Sequence, residues 1–339
     1  MIITRTPFRI SFFGGGTDYP DWYRENGGAV LATTIDKYCY VSCRKLPPFF
    51  DHKHRIVYSY IENVNNNDEI KHPVVKELLN WFNIMEGLEI HHDGDLPARS
   101  GIGSSSSFTV GLLNALHGMH GSMASKNELA KTAIHIEQDL IGENVGSQDQ
   151  VSAAYGGFNK IKFISNDEIT VTPVMIPLQR FEELHNHLML FFTGVSRNAS
   201  EIAQSKIRNI KNRKIELNQM YKMVDESIFI LQNMSEPIET FGKLLDKSWH
   251  YKRELSDLVS STEIDEIYTT AKTAGALGGK ILGAGGGGFI LFFAPPNKHK
   301  TICKKLSKLI YVPFNFEYTG SQVVFYNPND VFFNKNVIN

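Results

Sequence analysis

Cysteine is scarce. Three in 339 residues, at Cys39, Cys43 and Cys303, exclude a disulfide-stapled scaffold, and none stands at a metal-site spacing. Cys39 and Cys43 fall in an apolar strand-like run and read as core. An excess of either charge is also missing. The chain has 35 Lys and Arg against 36 Asp and Glu, a net charge of −1. With no basic stripe visible, neither nucleic acid nor a membrane surface is expected as a partner. No apolar run approaches the length of a membrane span. Arg5 and Arg9 interrupt the first apolar residues, so no signal peptide is read there and the cytoplasm is the expected compartment. His91 and His92 adjoin on a predicted strand, face opposite ways and are not expected to share a metal. Internal repeats and low-complexity linkers are absent as well.

What is present in quantity is glycine, gathered into runs beside predicted elements. Leu96-Pro-Ala-Arg-Ser-Gly-Ile-Gly-Ser-Ser-Ser-Ser-Phe-Thr-Val110 joins a strand-like run to an apolar helix. Gly101 and Gly103 let backbone approach a ligand, and Ser104, Ser105, Ser106 and Ser107 put hydroxyls and free amides at a helix start. Such a start, with unpaired N–H groups and a positive dipole end, is an anion site. It is not the common phosphate loop, because no lysine follows Gly103, nor the dinucleotide loop, because Ser106 replaces its third glycine. A simple serine cap is the plainer alternative. Two further runs, Phe13-Gly-Gly-Gly-Thr-Asp18 and Gly283-Ala-Gly-Gly-Gly-Gly288, suggest backbone converging on one bulky polar ligand.

Periodicity predicts strands at 2–5, 29–44, 56–61 and 88–92, with helices at 74–82, 105–119 and 126–141. Strands follow at 169–176 and 188–194, then long polar helices at 199–234 and 237–258. A helix at 263–276 and strands at 289–293 and 311–325 finish an α+β chain. A boundary near residues 180–198 would split it into two lobes, 1–190 and 191–339, with a groove between them for a ligand.

Glu137 shares the apolar stripe of Ala130, Ala133, Ile134 and Ile141, where a carboxylate must meet a cation or strong donors unless it snorkels to water. Asp149 closes the polar turn 142–150 and either caps the next helix or faces a ligand. Asp18 is presented on exposed backbone behind three glycines, or stabilises that turn. Together these groups offer what phosphoryl transfer needs: donors for phosphates, hard oxygens for Mg²⁺ and a carboxylate for the attacking hydroxyl.

The three segments resemble the three motifs of the GHMP kinases, the family of galactokinase, homoserine kinase, mevalonate kinase and phosphomevalonate kinase. Within the family the resemblance runs to kinases of heptose 7-phosphate. It rests on Phe13–Asp18, Gly101–Ser107, Gly146-Ser-Gln-Asp-Gln150, the pair Thr193-Gly194 with Arg197, and Ala276-Leu-Gly-Gly-Lys280, and it covers nearly the whole chain. It implies a GHMP kinase fold, with an N-terminal lobe like ribosomal protein S5 domain 2 and a ferredoxin-like C-terminal lobe. By position it makes Ser105 and Glu137 ligands of Mg²⁺, Asp149 the catalytic carboxylate and Arg9 the cation beside the transferred phosphate. ATP would lie on Arg99, Gly101, Gly103, Ser104, Ser105, Ser106, Gly285 and Gly286. The sugar would lie on Gly15, Gly16, Thr17 and Asp18. The lysine that mevalonate kinases carry in the first motif is missing, so Asp149 either deprotonates the hydroxyl or only positions it.

For a phosphate on the sugar, Arg197 is the candidate, since its planar fork donates two bonds at once; pairing with Glu201 is the alternative. Lys280 and Arg99 are weaker candidates. The implied reaction is ATP-dependent phosphorylation of the anomeric hydroxyl of heptose 7-phosphate, giving the 1,7-bisphosphate for nucleotide-activated heptose and surface polysaccharide. The alternatives are a kinase of an unphosphorylated sugar such as fucose, or a non-catalytic sugar and ATP sensor. The expected partners are small molecules only, which leaves room for a homo-oligomer.

Overall fold

A computed structural model describes residues 1–195 and 199–328. Nine strands form the larger sheet, in the order β13-β1-β2-β5-β3-β4, with β12 and β6 also paired to β2 and β7 paired to β6. Its spine is β1 (Ile2–Phe13) against β2 (Gly28–Lys45), joined across a glycine turn and helix α1 (Pro20–Asn26). The register of this pair shifts after Pro7, which has no N–H to give a ladder. The far half of β2 pairs with β5 (Leu88–Gly94), which takes β3 (His54–Val57) in parallel, and β3 turns back into β4 (Ile61–Val64). The expected strand at 56–61 is thus the core of a short hairpin.

Helix α2 (Pro73–Trp81) leads to β5, and α3 (Ser104–Met119) then lies on β1 and β2. Most of α3 is buried, which is why its sequence is apolar nearly all round. Helix α4 (Lys126–Ile134) begins in a capping box, with Ser125 accepting from the Glu128 N–H. The helix expected through residue 141 changes at His135 into a π-helical segment, His135–Leu140. Helix α5 (Gln148–Tyr155) packs on α3 and α4, and β6 (Phe158–Phe163) and β7 (Ile169–Pro173) complete the near half of β2.

After α6 (Leu178–His187), a second sheet runs β11-β8-β10-β9, all antiparallel. It holds β8 (Leu188–Phe192), then helices α7 (Ala199–Asn209), α8 (Lys214–Gln232), α9 (Glu239–Glu254) and α10 (Thr262–Thr273). Next come β9 (Gly278–Ile281), β10 (Phe289–Phe293), α11 (His299–Lys305) and β11 (Ile310–Tyr311). With its helices taken together this is the split β-α-β-β-α-β arrangement. The single helix expected at 199–234 is two, separated near Arg213, where Asn209 donates to the Leu255 carbonyl and Ile210 turns inward.

A cut at residue 190 would pass through β8, and the chain crosses back after β11. The expected strand at 311–325 is divided by Pro313 and Gly320 into β11, β12 (Phe316–Glu317) and β13 (Gln322–Tyr326). β12 and β13 rejoin the larger sheet, on β2 and β1. Cys39 and Cys43 are buried and free, as core residues. Among the described residues no helix is long and apolar enough to cross a membrane.

The two sheets meet through aromatic rings. β10 is buried on both faces: Phe289, Leu291 and Phe293 join the core shared with β1, while Ile290 and Phe292 join a second core under α10. Phe241 of α9 lies at the seam, its ring centroid 5.7 Å from Phe12, 5.1 Å from Phe13 and 5.9 Å from Phe293. Phe241→Ala is expected to lower the unfolding free energy by about 3–5 kcal/mol, the usual cost of a deleted core ring. Denaturant titration followed by fluorescence checks this; a loss under about 1 kcal/mol would mean that the seam does not carry this weight.

Candidate active site

Arg9 sits on β1 and is only 3% exposed. Its Nε and Nη2 donate to the two carboxylate oxygens of Asp149, each at 2.7 Å, and Nη1 donates to the Gly101 carbonyl at 2.7 Å. Asp149 stands in the first turn of α5 and keeps a quarter of its side chain open to solvent. The ion pair therefore has a floor and one open side. Over it passes the glycine-serine loop. Gly103 has φ of 76°, a left-handed conformation that glycine adopts freely, and a Cβ there would come within 3.2 Å of Arg9 Cγ.

Gly101 and Gly283 lie back to back: a Cβ on Gly283 would stand 2.6 Å from the Gly101 Cα. The Phe289 N–H donates to the Ser100 carbonyl. Two glycine runs nearly 180 residues apart thus form one layer. Gly285 and Gly286 pack on Val259 instead, and the Gly286 N–H donates to the Val259 carbonyl, so that amide is not free for a phosphate.

In the loop itself, Ser104 Oγ accepts from the Arg99 N–H at 3.0 Å, which closes the turn, and Arg99 is exposed. Ser105 is exposed at the start of α3. Ser106 points the other way, into the protein, and donates to Glu137 Oε2 at 2.8 Å. Thr109 donates to Glu137 Oε1 at 2.5 Å, and Gln150 donates to Oε2. The π-helical segment turns Glu137 fully inward, so the expected inward carboxylate is there. Its hydroxyl partners are Ser106 and Thr109, however, and not Ser105. Burial among neutral donors pushes the Glu137 carboxyl up to about 7.

Asp18 is buried behind the first glycine run. Its Oδ1 accepts from the Gly16 N–H and its Oδ2 from Gln148 Nε2, both at 2.8 Å, and burial raises its pKa. Gly15 lies between Ser11 and Gln148. Ser11 Oγ and Gln148 Oε1 are buried without a hydrogen-bond partner, so unmet polar capacity surrounds Asp18. Thr17 differs from its expected role: its hydroxyl accepts from the Ala29 N–H and has the Gly14 and Ala29 carbonyls within reach of its single hydrogen, so it locks the turn. Arg197 lies outside the described residues.

Three buried lysines complete the surroundings. Lys280 on β9 donates to the Phe12 carbonyl at 2.8 Å. Lys252 on α9 donates to the Ile281 and Gly283 carbonyls at 2.6 and 2.7 Å. Lys206 on α7 lies over the Tyr19 ring, 5.4 Å from its centroid. Sequence reasoning missed Lys206 and Lys252, along with Ser11 and Gln148 as ligand-facing groups. The lysines stand in polar helices where a solvated cation is the usual reading, and only tertiary contact buries them.

The Glu137 shift carries a sign. The folded state holds this proton more tightly than the unfolded chain, so between about pH 4.5 and 7 stability falls as pH rises, and it stays lower above that window. Glutamine keeps the shape and needs no charge, and its three hydroxyl and amide partners can be re-oriented. Ligand-free Glu137→Gln is therefore expected to be more stable than the parent at pH 8 by on the order of 3 kcal/mol, and equal to it near pH 4. Thermal unfolding across that range tests it; parallel curves would show that Glu137 titrates normally.

Residues 69–157 match the family model of the GHMP kinases N terminal domain and residues 231–311 that of the GHMP kinases C terminal domain. A D-glycero-alpha-D-manno-heptose 7-phosphate kinase of Campylobacter jejuni is 32% identical, over 91% of this chain and 93% of that protein. A bifunctional fucokinase/GDP-fucose pyrophosphorylase of Arabidopsis thaliana is 26% identical over 85% of this chain, a match that spans 29% of that longer protein. A solved D-glycero-D-manno-heptose 1-phosphate kinase from Bacteroides thetaiotaomicron shares the fold, with a TM-score of 0.78 at 22% identity over 96% of this chain and all of that one. The chain belongs to the GHMP kinase family and is a phosphotransferase that acts on a sugar hydroxyl.

Proposed function

We propose that this protein is an ATP- and Mg²⁺-dependent kinase of heptose 7-phosphate, acting on the anomeric hydroxyl to give the 1,7-bisphosphate. Its product would feed a nucleotide-activated heptose for surface polysaccharide, and the reaction would take place in the cytoplasm. The observation that carries the reading is the doubly bonded Arg9–Asp149 pair, open on one side between the serine loop and Asp18. The 32% identity to a heptose 7-phosphate kinase supports the choice of sugar.

In this reading the N-terminus of α3, with Ser104 and Ser105, takes the nucleotide phosphates, where free amides and the helix dipole favour negative charge. Asp18, Ser11 and Gln148 take sugar hydroxyls. The anomeric oxygen rests against Asp149 and attacks the γ-phosphorus; the new O–P bond forms as the bond to the ADP oxygen breaks. Each Asp149 oxygen keeps a lone pair beyond its bond to Arg9, so it accepts the hydroxyl hydrogen and orients the oxygen for attack. Arg9, held rigid by that same pair, keeps positive charge beside the site where charge moves. Of the two Mg²⁺ ligands in this reading, Glu137 fits the ion as a buried carboxylate with no protein cation bonded to it, while Ser105 offers a hard oxygen from the exposed side of the same helix turn. When bound, Mg²⁺ supplies charge neutralisation on the phosphates.

Unphosphorylated fucose is the second reading, favoured by the match to the fucokinase relative. A panel of sugars and sugar phosphates assayed for ATP-dependent ADP release separates the two. Heptose 7-phosphate should show the highest kcat/KM; a preference for free fucose sinks the heptose reading.

Asp149→Asn should lower kcat by a factor on the order of 10² to 10⁴, the range for a lost acid–base group. Binding of a non-hydrolysable ATP analogue, followed by calorimetry, should change by less than about threefold. Loss of nucleotide affinity in step with activity would make Asp149 a structural tie for the loop.

A further inference from the structure

Lys206, Lys252 and Lys280 are each at most 6% exposed, and among the described residues none forms an ion pair. Buried lysine without a carboxylate is rare, because the ammonium loses its hydration with nothing charged in return. The three come from α7, α9 and β9 of the second unit; Lys280 and Lys206 reach the first, and Lys252 stands behind the glycine run that packs on it. Lys280 bonds the carbonyl of Phe12, Lys252 bonds Gly283 behind the glycine layer, and Lys206 covers Tyr19, next to Asp18. Lys252 uses two of its ammonium hydrogens and Lys280 one, while Lys206 has no hydrogen bond among the described residues.

The charges do not balance. Arg9 and the three lysines surround two carboxylates, Asp18 and Asp149, and Arg9 and Asp149 already satisfy each other. Burial, aided for Lys252 and Lys280 by neighbouring cations, pushes Lys206 down to about 8 and Lys280 to about 7, and lowers Lys252 well below the ordinary lysine value. A dianion seated among them would restore their charge and remove the penalty.

We infer that Lys206, Lys280 and Lys252 form a second phosphate cradle, separate from the loop at α3, which receives the phosphomonoester of a sugar phosphate whose hydroxyls lie on Asp18. This rests on the sugar-kinase reading and sharpens it, since a free sugar has no group for the cradle. The position favours the sugar's phosphate over the nucleotide's. The lysines act on Asp18 and Arg9, whereas Glu137, beneath the α3 loop, is bound by hydroxyls and an amide.

The test is calorimetric binding of D-glycero-D-manno-heptose 7-phosphate, the same heptose without phosphate, and a non-hydrolysable ATP analogue. It uses the full chain and Lys206→Met, with Lys280→Met as a second variant and folding checked by circular dichroism. Lys206 is the first choice because its removal breaks no hydrogen bond to the backbone. The parent should prefer the phosphorylated heptose, and Lys206→Met should lose about tenfold or more of that preference, as for one charge-assisted contact. Affinities for free heptose and the ATP analogue should stay within about threefold, and Lys206→Arg should recover part of the loss. If both methionine variants keep the parent's preference, the cradle is overturned while the sugar-phosphate reading stands. An equal loss of ATP-analogue affinity overturns it too, since the lysines would then serve the nucleotide. A parent that binds both heptoses alike overturns the sugar-phosphate reading and the cradle with it.

Discussion

A guanidinium leaves water at a cost unless its donors find acceptors, and in Arg9 each of the three nitrogens donates one hydrogen bond, to groups from two distant parts of the chain. Two of its nitrogens donate to Asp149 at the head of α5, and the third donates to Gly101 in the serine loop. Its own backbone N–H donates to the Ile102 carbonyl. One side chain on β1 therefore sets where α5 begins and where the loop crosses. The chemistry follows from that geometry. Asp149 cannot turn away from the cleft without abandoning two charged hydrogen bonds, so its position is decided before any substrate arrives.

The second constraint is proximity of backbone to backbone. The loop before α3 and the run before β10 touch at Gly101 and Gly283, at a distance where a single Cβ would collide with main chain. Side chains are excluded from that layer, and polar backbone is what remains. This explains why the glycines gather in runs in a chain otherwise of ordinary composition. It also explains how the second unit is held: its β10 strand contributes Phe289, Leu291 and Phe293 to the first unit's core, and β12 and β13 return to the first unit's sheet.

Electrostatics divides the site into two sides. Beneath α3, Glu137 is held by hydroxyls and an amide, with its carboxyl shifted up by burial, a place that gains from a cation. Around Asp18, lysines outnumber acids, a place that gains from an anion. The Arg9–Asp149 pair lies between them. Such a gradient across a few residues favours a cation on one side of the pair and an anion on the other.

Much of this was legible in the residues. The glycine runs, the serine helix start, and the single acids Asp18, Glu137 and Asp149 each broke a local pattern, and those breaks are what made them candidates. The α+β class and most elements followed from periodicity, because the period is imposed by which face meets the core. Tertiary structure alone decided the rest. That Ser106 and not Ser105 meets Glu137 depends on the direction of the first turn of α3 and on a π-helical segment that no residue type announces. That Thr17 locks its own turn depends on Ala29 lying opposite. Lys206 and Lys252 looked like the solvated face of polar helices, since a lysine in a helix rich in charged residues reads the same whether water or a second sheet lies beyond it. Sequence records the spacing of a side chain along its own element. What that side chain faces across the molecule is set by the packing of elements far apart in the chain.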